Sequence, residues 1–269
     1  MHSADLGAHV IKALMTRTGV DPAAVEDVIF GCCDTLGSQA GDVARTCWLA
    51  AGLPEHVPGV TIDRQCGSSQ QSVHFAAQGV MSGTADLIVA GGVQNMSAIP
   101  ISSAMTMAEP LGFTDPFSGS TGWVERYGDQ EVSQFRGAQM IADKWDISRA
   151  DMEALAIQSH ARAARAQDEG RFDDEIVPFG DIRADEGVRR GSTAEKLASL
   201  PVLEGSTKLT AAVASQISDG ASAMLIASEE AVKQHGLTPR ARIHHISVRA
   251  DDPIYMLTAP IPATKWAVS

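Results

Sequence analysis

Leu87-Ile88-Val89-Ala90 constrains the fold of this chain more than any other stretch, because it is apolar without a polar alternation. A strand of that kind must be covered on both faces, which places it inside a parallel or mixed sheet flanked by helices. The residues before it supply such elements. Residues 4–18 put Leu6, Val10, Leu14 and Met15 on one helical face and stop at Gly19. Asp21-Pro22 reads as an N-cap followed by proline at the first helical position. Strands are expected at Val28–Phe30 and Val60–Ile62, with a helix around Asp42–Ala51 between them. A helix of small residues from about Cys66 to Met81 then leads into the apolar run. The fold class is α/β.

The texture changes after Met96. Residues 97–133 have little periodicity and are rich in Ser, Gly, Pro and Met. A long helix follows, with Ser148-x-x-Asp151 at its start and Gly170 at its end. Residues 180–191 are charged, which fits exposure, and the small, apolar pattern returns at Ala211–Ala227. This is the profile of a core (1–96) interrupted by an inserted lobe (97–209) and resumed over 210–236. Beyond it, Arg242–Val248 alternates like a strand and Pro260 can open another helix.

The formal net charge of −12 argues against nucleic acid as a partner, since phosphate binding needs clustered Lys and Arg. A few local arginines can still hold an anionic ligand. No stretch is long and apolar enough to suggest a membrane span. His2, Asp5, His9 and Lys12 are spaced as in an amphipathic helix rather than a signal peptide, so the expected location is cytoplasmic. Of the four cysteines, none forms a C-x-x-C pair and no histidine spacing completes a metal site. Cys32-Cys33 reads as a strand end with small packed thiols.

Cys66 is set apart by its surroundings. In Val60-Thr61-Ile62-Asp63-Arg64-Gln65-Cys66-Gly67-Ser68-Ser69-Gln70-Gln71 an apolar strand ends and a helix begins at or just after the cysteine. The helix dipole and open N–H groups there favour an anion, and hence a thiolate. Gly67, Ser68 and Ser69 keep the first turn thin enough for a substrate to approach. Spacing alone leaves open a reactive nucleophile or a buried, inert thiol.

Asp63-Arg64-Gln65-Cys66-Gly67-Ser68-Ser69-Gln70 resembles the nucleophile motif of thiolases, especially the branch handling larger or steroid-derived acyl-CoAs. Ala90-Gly91-Gly92-Val93-Gln94-Asn95-Met96-Ser97 is similar to that family's Gly-Gly-x-Glu-x-Met-Ser motif, with Gln94 in the place of the glutamate. Gly170-Arg171-Phe172-Asp173-Asp174-Glu175-Ile176-Val177-Pro178 resembles its Gly-x-Phe-x-x-Glu-Ile-x-Pro segment. Asp185-Glu186 with Arg189 is similar to a charged loop of its inserted lobe, and Ser215–Ala221 to the strand that returns to the core.

The resemblance implies a thiolase-like αβα core with an inserted loop domain, and residues 237–269 as only the beginning of a C-terminal half. It implies an acyl-CoA:acetyl-CoA C-acyltransferase, with Cys66 taking an acyl group from acyl-CoA or 3-ketoacyl-CoA and its own N–H helping to hold the oxyanion. Coenzyme A is then a substrate, and no permanently bound cofactor or metal is expected. Arg189 corresponds to a residue near the adenine end of coenzyme A, Ser215 to one near the pantetheine arm, with Ala211 beside it. Their plainer readings are a solvated charge and a strand-end hydroxyl. Met96, Met105 and Met107 could line an acyl pocket or fill core. The family's Gly-His-Pro, Asn-Glu-Ala-Phe and second-cysteine motifs have no counterpart here, and His244 and His245 fall in the expected strand without that context. The family's first strand has none either, and it lies centrally in the sheet, so the chain is expected to be incomplete for turnover. A homodimer or tetramer is implied, with the strand before Cys66 at the dimer edge. A non-catalytic acyl-CoA-binding or interaction subunit and a ketosynthase-like relative are the competing readings.

Overall fold

The computed structural model describes residues 1–269 and divides into two compact units, residues 1–114 with 217–244 and residues 115–216 with 245–269.

The first unit is built on a four-stranded sheet. Its elements are α1 (Ser3–Thr18), β1 (Asp27–Gly31), α2 (Val43–Ala50), β2 (Gly59–Ile62), α3 (Ser68–Ser82), β3 (Leu87–Asn95), α4 (Ser103–Thr106), β4 (Asp219–Ala227) and a helix at Glu229–Gln234. The strand order is β2-β1-β3-β4. β1 runs parallel to both β2 and β3, while β4 returns antiparallel to β3, from Leu87 opposite Ala227 to Asn95 opposite Asp219. β1 and β3 are thus direct neighbours, with no strand between them. The expected apolar run is the start of a longer strand, buried from Leu87 to Val93.

Alternation along the strands sorts the two faces. Ile29, Ile88 and Ala90 cluster with Ala76 and Val73 of α3. Phe30, one residue on, faces the α1–α2 side, where Gly7 lies against Cys47 and the Phe30 ring. Gly7 is needed there, since a Cβ would stand 2.3 Å from the Cys47 Sγ. This close approach rotates α1 away from the face suggested by its larger side chains. Leu6 and Met15 of the expected face are buried, with Ala4, Gly7, Ala8 and Ile11, whereas Val10 and Leu14 are only half-buried. Burial on both faces holds for the inner strands. The edge strands are more open, with Val60 of β2 at 43% and Met224 of β4 at 45% exposure.

Local signals explain the element ends. Asp21 accepts a hydrogen bond from the Ala23 N–H at 2.9 Å and starts a short 3₁₀ turn at Pro22–Ala24. Asp42, at φ +63°, caps α2 and is held by the Thr61 hydroxyl at 2.8 Å. Gly19 and Gly83 end α1 and α3 in the left-handed conformation.

In the second unit the helices are α5 (Thr121–Tyr127), α6 (Gln134–Lys144), α7 (Arg149–Asp168), α8 (Ala194–Ala198) and a last helix at Pro260–Val268. Ser148 and Asp151 form the expected capping box of α7. Arg149 binds α8 to α7, donating to Glu153 at 2.6 Å and to the carbonyls of Leu197, Ala198 and Leu200. The expected strand at Arg242–Val248 does not form, so His244 and His245 lie in irregular backbone. Alternation supplies a face, but a strand also needs a ladder partner, and these residues pair with none.

Candidate active site

Cys66 stands on an exposed turn between β2 and α3. Gly67 is the N-cap, so α3 begins at Ser68, just after the cysteine. Gln65 has φ +48°, the left-handed region that non-glycine residues adopt only at a cost of about 1 kcal/mol or more. Four hydrogen bonds hold it there. The Asp63 carboxylate accepts the Gln65 N–H at 2.7 Å, and the Ser68 N–H donates to the Gln65 carbonyl at 3.0 Å. The Ser68 hydroxyl accepts the Arg64 N–H at 2.8 Å and donates to the same Gln65 carbonyl at 2.5 Å. Ser68 is buried, while Asp63 to Cys66 are exposed. The turn lifts the thiol off the sheet and out toward solvent.

Glycines let the start of α3 come down onto the strand ends. A Cβ on Gly31 would meet the Ser68 carbonyl carbon and Ser69 nitrogen at 2.3 Å, and one on Gly92 would meet the Ser69 Oγ at 2.0 Å. The Ser72 hydroxyl then pins α3 to β3, donating to the Gly91 carbonyl at 2.7 Å and accepting the Gly91 N–H at 3.2 Å.

The other three cysteines are poor nucleophiles. Burial first, then the neighbouring Cys66, Asp63 and Asp34, push the Cys33 thiol up to about 11, against contact with the Ser68 hydroxyl, which lowers it. Burial pushes Cys32 and Cys47 up to about 12. All three are protonated near neutral pH, and only Cys66 is exposed. Gln94 supports this floor of the site: its Oε1 accepts the Cys33 N–H at 3.0 Å and the Cys32 Sγ lies 3.5 Å away. Sequence reasoning noted Gln94 only as a motif position and missed this tie. No local signal joins residues that are sixty apart in the chain.

The residues connected by resemblance with coenzyme A lie in the second unit. Arg189 lines a cavity of about 250 Å³ with Ile157, His160, Ala161, Ala164 and Arg190. Its guanidinium donates to the Glu186 carbonyl at 3.1 Å and to Gln216 Oε1 at 3.0 Å, and its N–H to His160 Nδ1 at 3.2 Å. Ser215 and Ala211 are exposed, Ala211 at the head of a 3₁₀ turn, and neither lines that cavity. Of the three methionines, Met96 and Met105 are half-buried and Met107 is exposed at 65%, so Met107 does not fill core.

Residues 1–230 match the thiolase N-terminal domain family. The chain belongs to the thiolase family. This thiolase is 62% identical to the steroid 3-ketoacyl-CoA thiolase FadA6 of Mycobacterium tuberculosis, over all of its own length and 67% of the relative's. It is 40% identical to the beta-ketoadipyl-CoA thiolase of Pseudomonas aeruginosa, over 97% of this chain and 69% of that one. The crystal structure of the Bacillus anthracis acetyl-CoA acetyltransferase superposes with a TM-score of 0.81 at 32% identity, covering 99% of this chain and 70% of that one. The thiolase chain therefore has the thiolase fold and is an acyltransferase by family. It spans about two thirds of the length of these relatives.

Proposed function

We propose that this thiolase transfers acyl groups through a thioester on Cys66, cleaving 3-ketoacyl-CoA substrates whose acyl portion is steroid-derived or comparably bulky. The observation that carries this is the contrast among the thiols: Cys66 alone stands exposed on a held turn at the start of α3, while Cys32, Cys33 and Cys47 are driven up to about 11 or 12. The 62% identity to a steroid 3-ketoacyl-CoA thiolase supports the substrate class.

In the cleavage direction the Cys66 sulfur attacks the 3-keto carbon. The C2–C3 bond breaks, its electron pair takes up a proton at C2, and acetyl-CoA leaves. In the family's cycle the thiol of coenzyme A then attacks the thioester, releasing the shortened acyl-CoA and restoring the cysteine; residues 1–269 hold no counterpart of the Gly-His-Pro, Asn-Glu-Ala-Phe and second-cysteine motifs that complete that site, so the acylation of Cys66 is the step proposed for them. The Cys66 N–H, one residue before the N-cap of α3, is assigned as a donor to the oxyanion. Arg189 is assigned to the adenine end of coenzyme A, and Ser215 with Ala211 to the pantetheine arm. No helix of the chain is long and apolar enough to cross a membrane.

The test is intact mass after mixing the chain with acetoacetyl-CoA, beside Cys66→Ser. An acetyl increment on the wild type alone supports the reading. Equal masses for both proteins, shown to be folded by circular dichroism, would overturn it.

A further inference from the structure

We propose that Ser68 is a positioning residue for acyl transfer, its hydroxyl latching the left-handed turn at Gln65 and so fixing where the Cys66 sulfur stands; this rests on the acylation of Cys66 argued above.

The direction of the hydrogen bonds carries the inference. A serine at the start of a helix ordinarily serves as N-cap, accepting an N–H from two or three residues further on. Ser68 is one position too late for that, because Gly67 is the N-cap. Its hydroxyl points backward instead, accepting from the Arg64 N–H at 2.8 Å and donating to the Gln65 carbonyl at 2.5 Å. Both partners precede the helix, so these bonds satisfy none of its open N–H groups. They close a ring around Gln65, the residue at φ +48° that sets the direction of the chain into Cys66.

The latch is anchored as well as closed. Ser68 is 3% exposed, and its backbone is seated on Gly31, where even a Cβ would collide with it. The exposed turn is thereby tied to a buried part of the sheet, one residue beyond the buried Phe30 of β1. Asp63 holds the other side of Gln65 through its N–H, but Asp63 is exposed and cannot anchor the turn to the core. Without the Ser68 hydroxyl, the Arg64 N–H and one bond to the Gln65 carbonyl are lost, and Gln65 can relax out of the left-handed region.

Glycine provides the decisive test, since it adopts positive φ without the steric cost that Gln65 bears. Rates of Cys66 acylation by acetoacetyl-CoA, followed by intact mass, are compared for wild type, Ser68→Ala, Gln65→Gly and the double variant. The latch requires Ser68→Ala to be slower by about tenfold or more, as a displaced nucleophile would be. It requires the double variant to return to within about threefold of wild type. A folded Ser68→Ala acylated at the wild-type rate overturns the proposal, as does a double variant that stays slow or fails to fold. If Ser68→Ala alone does not fold, the double variant decides on the same criterion. If the wild type itself gives no acyl increment, the acylation reading fails separately. Iodoacetamide alkylation of Cys66 in the same four proteins then judges the latch by the same pattern of loss and recovery.

Discussion

Gln94 Oε1 accepts the Cys33 backbone N–H at 3.0 Å, tying the end of β3 to the segment that leaves β1, 61 residues away in sequence. The same side chain keeps its Nε2 buried without an acceptor. Truncation and isosteric replacement should therefore differ. Gln94→Ala strands the Cys33 N–H and should lower unfolding stability by about 1–3 kcal/mol. Gln94→Glu keeps the acceptor for the Cys33 N–H but buries a carboxyl oxygen where Nε2 now lies, so desolvation should offset the kept bond and its cost should grow with pH as the carboxyl ionises. Urea midpoints of the two variants decide the matter, and an alanine variant as stable as wild type would show that the tie contributes nothing.

Gly31 and Gly83 are both glycines for a reason, but the reasons differ. Gly31 gives backbone room: a Cβ would lie 2.3 Å from Ser68 and Ser69 main-chain atoms, which cannot yield without moving α3. Gly83 has open space around it and only a positive φ of +73°. Gly31→Ala should then cost about 3 kcal/mol by overpacking and displace the Cys66 turn, slowing acylation. Gly83→Ala should cost about 1 kcal/mol through φ alone and leave acylation unchanged. Chemical denaturation with the intact-mass assay separates the two effects.

The legible and illegible parts of this chain divide along physical lines. β1, β3, α2, α3 and the capping box of α7 were readable because each depends on local pattern: an apolar run, a small-residue stretch, a Ser-x-x-Asp spacing. The expected face of α1 holds at Leu6 and Met15, while close packing on α2 brings in Gly7 and Ala8 ahead of the larger Val10 and Leu14. The strand at 242–248 failed because alternation does not create a neighbour. At the site, Cys66 was visible in its motif. The positive φ at Gln65 and the reach of Gln94 were not, since one is a backbone state of a residue type that seldom adopts it and the other is a long-range contact.

The thiols should react in an order set by burial. With Cys33 raised to about 11, its thiolate fraction at pH 8 is about one in a thousand, and those of Cys32 and Cys47 are smaller still. Iodoacetamide at pH 8 should label Cys66 alone, and the half-buried Cys33 should follow as pH rises past 10. The same shift bears on stability. A raised thiol pKa favours the protonated, folded form, so its contribution is whole below the ordinary thiol value of 9.0 and is lost as pH climbs through about 11. Unfolding midpoints should fall over that window, and less steeply in Cys33→Ala. Peptide mapping after a short alkylation pulse checks the order, and early labelling of Cys47 would contradict it.

Arg189 and Arg190 line the same cavity yet should respond differently to removal. Arg190 is paired with the Asp168 carboxylate at 2.9 Å and with Gln167, so its charge is already compensated at the protein surface. The Arg189 guanidinium meets only neutral acceptors, the Glu186 carbonyl and Gln216 Oε1, so no carboxylate offsets its charge. If the cavity receives the phosphate-bearing end of coenzyme A, Arg189→Ala should weaken CoA binding by about tenfold, near 1.4 kcal/mol. Arg190→Ala should weaken it by less than about threefold, since the Asp168 carboxylate already offsets its charge. Calorimetric titration of CoA into the two variants measures both values. Added salt should reduce wild-type affinity more than that of Arg189→Ala, because screening acts on the charge that the variant has already lost. Equal losses for the two arginines would mean that the cavity senses overall positive charge, and the assignment of Arg189 to the adenine end would fall.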